Sequence, residues 1–205
     1  MSPDERGRRA VAIAGHTGDA ATARAGLTDS SGLVRATALG ALERLGVLGD
    51  DELTAGLADG DGAVRRRAAE LSAPHLAVDL LPALADSDAA VVEAAAWACG
   101  EREVVADDVL EALIGLAVGE RGGAEPLARE SAVAALGAIG DDRGLDAILA
   151  ATTDKPAIRR RAVLALAPFL QADHPRAAAV SAAMDRALTD RDWQVRQAAE
   201  DLTHH

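Results

Sequence analysis

The stretch DGDGAVR, residues 59–65, decides the fold of this chain because versions of it return along the sequence. DSSGLVR occupies residues 29–35 and DRDWQVR occupies residues 190–196. Each version joins an acidic turn to a Val-Arg pair that opens a run of small apolar residues. Weaker versions end at Val92 and Arg159. Self-similarity of this kind is the sequence signature of a repeat protein, so the chain is expected to be built from one small unit.

The spacing of the copies predicts a unit of two helices. The copies are anchored at residues 9, 35, 65, 92, 129, 159 and 196, and the steps between anchors average about 31 residues. Alanine follows every anchor by three residues, which predicts a helical stripe of small side chains: Ala12, Ala38, Ala68, Ala95, Ala132, Ala162 and Ala199. A second apolar helix is predicted between anchors, at residues 19–27, 51–58, 76–85, 108–118, 143–151 and 177–189. No segment alternates with period two, so no sheet is expected.

The acidic turn and the arginine six residues later resemble the HEAT-repeat family, in the short form found in many bacterial proteins. In that family the two residues form a ladder between repeats. Three pairs match this spacing: Asp29/Arg35, Asp59/Arg65 and Asp190/Arg196. Val92 replaces the arginine, Gly123 replaces the aspartate before Arg129, and Asp154 is one residue late for Arg159. We therefore expect the ladder to be interrupted in the middle of the chain.

The resemblance implies an all-α fold, a right-handed α-solenoid of about six helix pairs with an N-terminal capping helix. Residues 1–205 are expected to form a single repeat domain. The repeats are placed at about residues 18–46, 50–73, 75–102, 107–140, 142–170 and 174–203.

By the same resemblance, the second helix of each pair lines a concave groove. Positions one, two and five after each anchor are expected to face outward. This selects the candidate partner-binding residues Arg66, Arg67, Glu93, Trp97, Glu130, Arg160, Arg161 and Leu164. Tryptophan and arginine are enriched at interaction hot spots.

Structural roles are the alternative for several of these residues. The two arginine pairs could form salt bridges with Glu93 and Glu130 across adjacent helices, each of small energetic value. Trp97 is either a packing residue between repeats or an interface anchor, and the sequence leaves both open. Trp193, in the last turn, is expected to cover the end of the core.

The sequence offers no catalytic, cofactor or metal constellation, and we expect a protein that is not an enzyme. The histidines are scattered, except for His204 and His205, which are either native or remnants of a tag. The family's di-iron hydroxylases use repeated His-Glu dyads, which are missing here. Cys99 falls at a small-residue position and is expected to be a buried thiol. HEAT-like DNA glycosylases share the expected fold, so a nucleic-acid-binding protein is the alternative function.

Composition favours a protein partner over nucleic acid. The formal net charge is −12 and aromatic residues make up 1% of the chain, whereas nucleic-acid binding needs neutralised phosphates and often stacked bases. No membrane span and no secretory signal are recognised. A single cysteine fits a reducing compartment. We therefore expect a cytoplasmic adaptor or scaffold with a protein partner of unknown identity and no membrane partner. A monomer is the favoured state.

Overall fold

The structure is a computed structural model and describes residues 2–119 and 125–204. Over those residues it contains twelve α-helices and no strand, which confirms the all-α prediction. The helices are α1 (Pro3–Thr17), α2 (Ala20–Ala25), α3 (Gly32–Arg44), α4 (Asp50–Leu57), α5 (Gly62–Leu71), α6 (Ala89–Gly100), α7 (Asp107–Val118), α8 (Pro126–Ile139), α9 (Leu145–Ala151), α10 (Pro156–Ala165), α11 (Ala177–Leu188) and α12 (Trp193–Thr203). Among the described residues, no helix combines the length and the apolar character needed to cross a bilayer.

The chain forms two compact units, Met1–Ala98 and Cys99–His205. In the first unit α3 packs between α1 and α5, while α2 and α4 pack against these helices. In the second unit α10 packs between α8 and α12, while α7, α9 and α11 pack beside them. Each unit is therefore a stack of helix pairs, as an α-solenoid requires. The handedness and the single domain over residues 1–205 stay predictions.

Alanines at the predicted positions let neighbouring helices approach closely. The alanine three residues after the anchor is fully buried in six repeats: Ala38, Ala68, Ala95, Ala132, Ala162 and Ala199. Helices α8 and α10 of the second unit pack closely against each other. A Cβ added to Gly137 would lie 2.5 Å from the Cα of Ala165, so this contact requires glycine.

The N-terminal copy follows a register one residue earlier than the sequence suggested. In α1 the buried residues are Val11 and Ala14, and they match Ala38 and Ala41 of α3. Ala12 is only half-buried. The anchor of this truncated copy is therefore Arg8, and the assignment of Arg9 is wrong. No acidic turn precedes α1, so the sequence held no second signal to fix the register.

The helix predicted over residues 76–85 is also wrong. Only Ala83–Ala85 form a single 3-10 turn there. Pro82 has no N–H and disfavours helical backbone in the preceding residue, and the Asp79 carboxylate accepts the Leu81 N–H at 2.9 Å in a local turn. The segment nevertheless buries apolar side chains in place of a helix, with Val78 and Leu80 both almost fully enclosed.

Candidate functional site

In the N-terminal unit, the arginines join each acidic turn to the next one. Arg35 donates to both carboxylate oxygens of Asp59, at 2.8 and 2.7 Å, and to the carbonyl of Asp29 at 2.8 Å. Arg65 repeats the arrangement with the Asp86 carboxylate, at 2.7 and 3.0 Å, and the Asp59 carbonyl at 2.9 Å. Each arginine therefore binds the backbone of its own turn and the carboxylate of the following turn.

The same ladder continues in the C-terminal unit. Arg159 donates to both carboxylate oxygens of Asp190, at 2.9 and 2.7 Å, and to the Asp154 carbonyl at 2.8 Å. Arg129 donates to the Asp154 carboxylate and to the carbonyl of Ala117. These contacts fix the turns from which the second helices emerge.

The predicted interruption of the ladder is correct at Val92 and wrong at Asp154. Val92 leaves the third repeat without a guanidinium, as the sequence indicated. Asp154 still accepts from both neighbouring arginines: its carboxylate from Arg129 and its backbone carbonyl from Arg159. The contact with Arg159 survives because a backbone carbonyl one residue out of step can still accept the hydrogen bond. Gly123 lies outside the described residues, and Arg129 forms its rung without an aspartate at that position.

The arginines lower the pKa of the aspartates they contact. The hydrogen bonds from Arg35 to Asp59 and from Arg65 to Asp86 are the largest causes, and burial of each carboxylate opposes them. Arg159 lowers the pKa of Asp190 in the same way. A hydrogen-bonded positive charge favours the ionised carboxylate.

The second helices of the N-terminal unit expose a groove of about 660 Å³. Helices α1, α3 and α5 supply most of its lining. Its charged lining residues are Arg8, Arg44, Arg66, Arg67, Glu70 and Asp88. We call this surface the arginine groove.

Two of the candidate residues, Arg66 and Arg67, lie in the arginine groove. Both pair with Glu70 on their own helix, each at 3.0 Å, rather than with Glu93 on α6. Three- and four-residue spacing places these side chains on neighbouring positions of one helix face. A single carboxylate therefore holds two guanidinium groups within the groove.

The two other candidates in this unit lie on α6. Glu93 is half-buried, and the Trp97 side chain remains 49% exposed although its neighbours Ala96 and Ala98 are fully buried. Ala94, expected to face outward, is buried. On α6 the second position after the anchor is therefore buried.

The candidates in the C-terminal unit lie on α8 and α10. Glu130 pairs with Arg161 at 3.5 Å, which forms one of the salt bridges considered across adjacent helices. Arg160 is exposed and Leu164 is half-buried. Ala198 of α12 was also expected to face outward, but it is buried.

Trp193 does not cover the core. Its side chain is 65% exposed, because it is the first residue of α12 and extends from the turn. Sequence reasoning missed Arg8 and Arg44. Arg44 follows its anchor by nine residues, so one further helical turn after position five would have found it. Arg8 precedes the predicted anchor Arg9 and is therefore not among the positions that were expected to face outward.

The described residues show no feature that calls for a metal. Within residues 2–119 and 125–204, no group of three or more His, Cys, Asp or Glu side chains could hold an ion. Cys99 is fully buried, as predicted. The exposed faces offer charge and apolar surface, which are properties of a binding site.

Comparison with known proteins gives a family for the centre of the chain. The crystal structure of an engineered protein aligns with 98% of this chain and 88% of its own, at 19% identity and a TM-score of 0.49, too distant to carry an argument. No curated protein matches the chain significantly. Residues 77–167 match the family model described as HEAT repeats. This match confirms, over residues 77–167, the resemblance to HEAT repeats that was inferred from the acidic turns and arginines.

Proposed function

We propose that this protein is a non-catalytic adaptor or scaffold that binds a protein partner on the exposed faces of its second helices. The observation that carries the proposal is Trp97. Its large apolar side chain is half exposed on a helix whose neighbouring residues are fully buried. Stacked helix repeats commonly present extended binding surfaces. An exposed tryptophan on such a surface is frequently a hot spot for binding.

The remaining candidate residues provide charged and apolar contacts around Trp97 and on the other second helices. In the N-terminal unit these are Arg66, Arg67 and Glu93; in the C-terminal unit they are Glu130, Arg160, Arg161 and Leu164. Arginine combines an apolar stem with five donors in a fixed plane, so it contributes both contact area and directed hydrogen bonds. We further propose a cytoplasmic protein that is monomeric before it binds its partner.

A nucleic-acid ligand is the second candidate function, and the four arginines of the groove are the observation that favours it. The groove also contains Glu70 and Asp88, and its lining has one ring, His16, and no Phe, Tyr or Trp. Phosphate contacts would make binding fall steeply with salt concentration, whereas a protein partner predicts a modest dependence.

The direct test is retention of a partner from the native host lysate by the wild-type protein and by Trp97→Ala/Glu130→Arg. We expect the wild type to retain a protein that the double variant loses. The matched control is Trp193→Ala/Glu200→Arg, which makes the same two changes at exposed positions outside the candidate set. Circular dichroism establishes that each variant is folded. Equal retention by all three proteins contradicts the proposal.

A further inference from the structure

We infer that the arginine groove binds an acidic peptide segment of the protein partner. The inference rests on the proposed function and adds the chemistry of the segment that the N-terminal unit recognises. It is carried by the charge, the free guanidinium groups and the shape of the groove.

The charge of the groove is opposite to the charge of the chain. The whole sequence carries −12, yet the groove has four arginines against two carboxylates. The Asp88 carboxylate is already engaged, because it accepts the Ala90 N–H at 3.0 Å at the start of α6. A local excess of positive charge on an acidic protein attracts an acidic ligand and orients it during approach.

Two of the four arginines are available to a ligand. Arg66 and Arg67 share Glu70. Arg8 and Arg44 are exposed, and neither forms an ion pair with any carboxylate of residues 2–119 and 125–204. Free guanidinium groups bind carboxylates through paired, charge-assisted hydrogen bonds. The groove therefore offers two sites for acidic side chains beside two arginines that Glu70 already holds in place.

The floor of the groove is suited to a polypeptide. The lining includes the small residues Ala36 and Ala63, where a main chain can approach closely. A Cβ on Gly40 would lie 2.9 Å from the Arg67 guanidinium, so this guanidinium covers Gly40 inside the groove. Leu33 is 52% exposed at the same surface and can contact one apolar side chain of the peptide.

The same lining disfavours a nucleic acid. Glu70 and Asp88 would repel a continuous phosphate backbone, and apart from His16 the lining has no ring on which a base could stack. A peptide places its carboxylates at intervals, so it can pair with the free arginines and avoid the two acidic residues.

The test is fluorescence anisotropy with the full-length protein. The probe is a fluorescein-labelled peptide of glutamate, alanine and leucine, compared with a lysine analogue and a single-stranded oligonucleotide of equal charge. We expect the glutamate peptide to bind best and Arg8→Gln/Arg44→Gln to weaken it by about tenfold, since each free arginine contributes a charge-assisted contact.

The control variant is Arg9→Gln/Arg186→Gln, which removes the same charge from exposed positions outside the groove. We expect it to change the affinity by less than about twofold. An equal loss in both variants would reduce the effect to net charge and overturn the inference. Stronger binding of the oligonucleotide, or no binding of the glutamate peptide, would also overturn it.

The pull-down keeps this inference distinct from the proposed function. A partner that is retained by Arg8→Gln/Arg44→Gln but lost by the Trp97→Ala/Glu130→Arg protein would overturn the acidic-peptide inference and leave the scaffold proposal standing. A partner lost by both variants supports both.

Discussion

Replacing Arg65 with alanine removes three hydrogen bonds at once: two to the Asp86 carboxylate and one to the Asp59 carbonyl. The Arg65 and Asp86 side chains are only 17% and 12% exposed. Exposed ion pairs contribute about 0–1 kcal/mol, and breaking a fully buried pair costs about 3–5 kcal/mol. This pair lies between those limits, and Asp86 keeps its hydrogen bond from the Asp88 N–H at 2.8 Å. We expect Arg65→Ala to lower the free energy of unfolding by about 2–3 kcal/mol.

Arg66 provides the matched control on the next residue of the same helix. Its side chain is 55% exposed and pairs with Glu70 alone among the described carboxylates, so Arg66→Ala should cost about 0.3–0.5 kcal/mol. Urea unfolding followed by Trp97 fluorescence in a Trp193→Phe background reports on the N-terminal unit. A cost for Arg65→Ala that is no greater than that for Arg66→Ala would refute the argument that the ladder fixes the repeats.

Three further outcomes follow from the packing and the charges. Gly137→Ala should destabilise the protein by about 1–3 kcal/mol in urea unfolding, because the new Cβ would overlap the backbone of α10. Gly60→Ala is the control and should be nearly neutral, since nothing lies within 4 Å of a Cβ at that position. Arg65 lowers the pKa of Asp86, so the stability that this pair contributes is complete above about pH 4 and is lost as the pH falls through the lower native pKa. Asp86→Asn should therefore flatten the dependence of the free energy of unfolding on pH in that acidic range. An unchanged slope would contradict this. Trp193→Ala should change the midpoint of thermal unfolding very little, with a free-energy cost below about 0.5 kcal/mol, because the side chain is 65% exposed. A large drop in that midpoint would support the role in covering the core that the sequence predicted.

The repeat pattern was sufficient to predict the helices because burial and periodicity act locally. An alanine three residues after each anchor is buried wherever an acidic turn sets the register of the helix. Without such a turn, α1 was assigned one residue out of register. The segment at residues 76–85 had helical apolar spacing, but Pro82 and the Asp79 turn prevented a helix. Local backbone chemistry therefore prevailed over the pattern.

The candidate site was less predictable because it depends on contacts between helices. The sequence identified Arg66 and Arg67 but could not show that both choose Glu70 over Glu93. It also could not show that Arg8 and Arg44 converge on the same groove, since they lie on helices separated by a turn and a short helix. Exposure of Trp193 depends on what packs beside the last helix, which a periodic pattern does not contain.

Site-specific photocrosslinking tests the central claim, that a protein partner binds the second-helix faces. A photoreactive amino acid replaces either Ala63 of α5, which lines the arginine groove, or Ala55 of the first helix α4; both alanines are exposed. In host lysate, we predict a defined covalent adduct with one protein from position 63 and none from position 55. An adduct formed only from position 55, or crosslinks to nucleic acid from position 63, would contradict the claim.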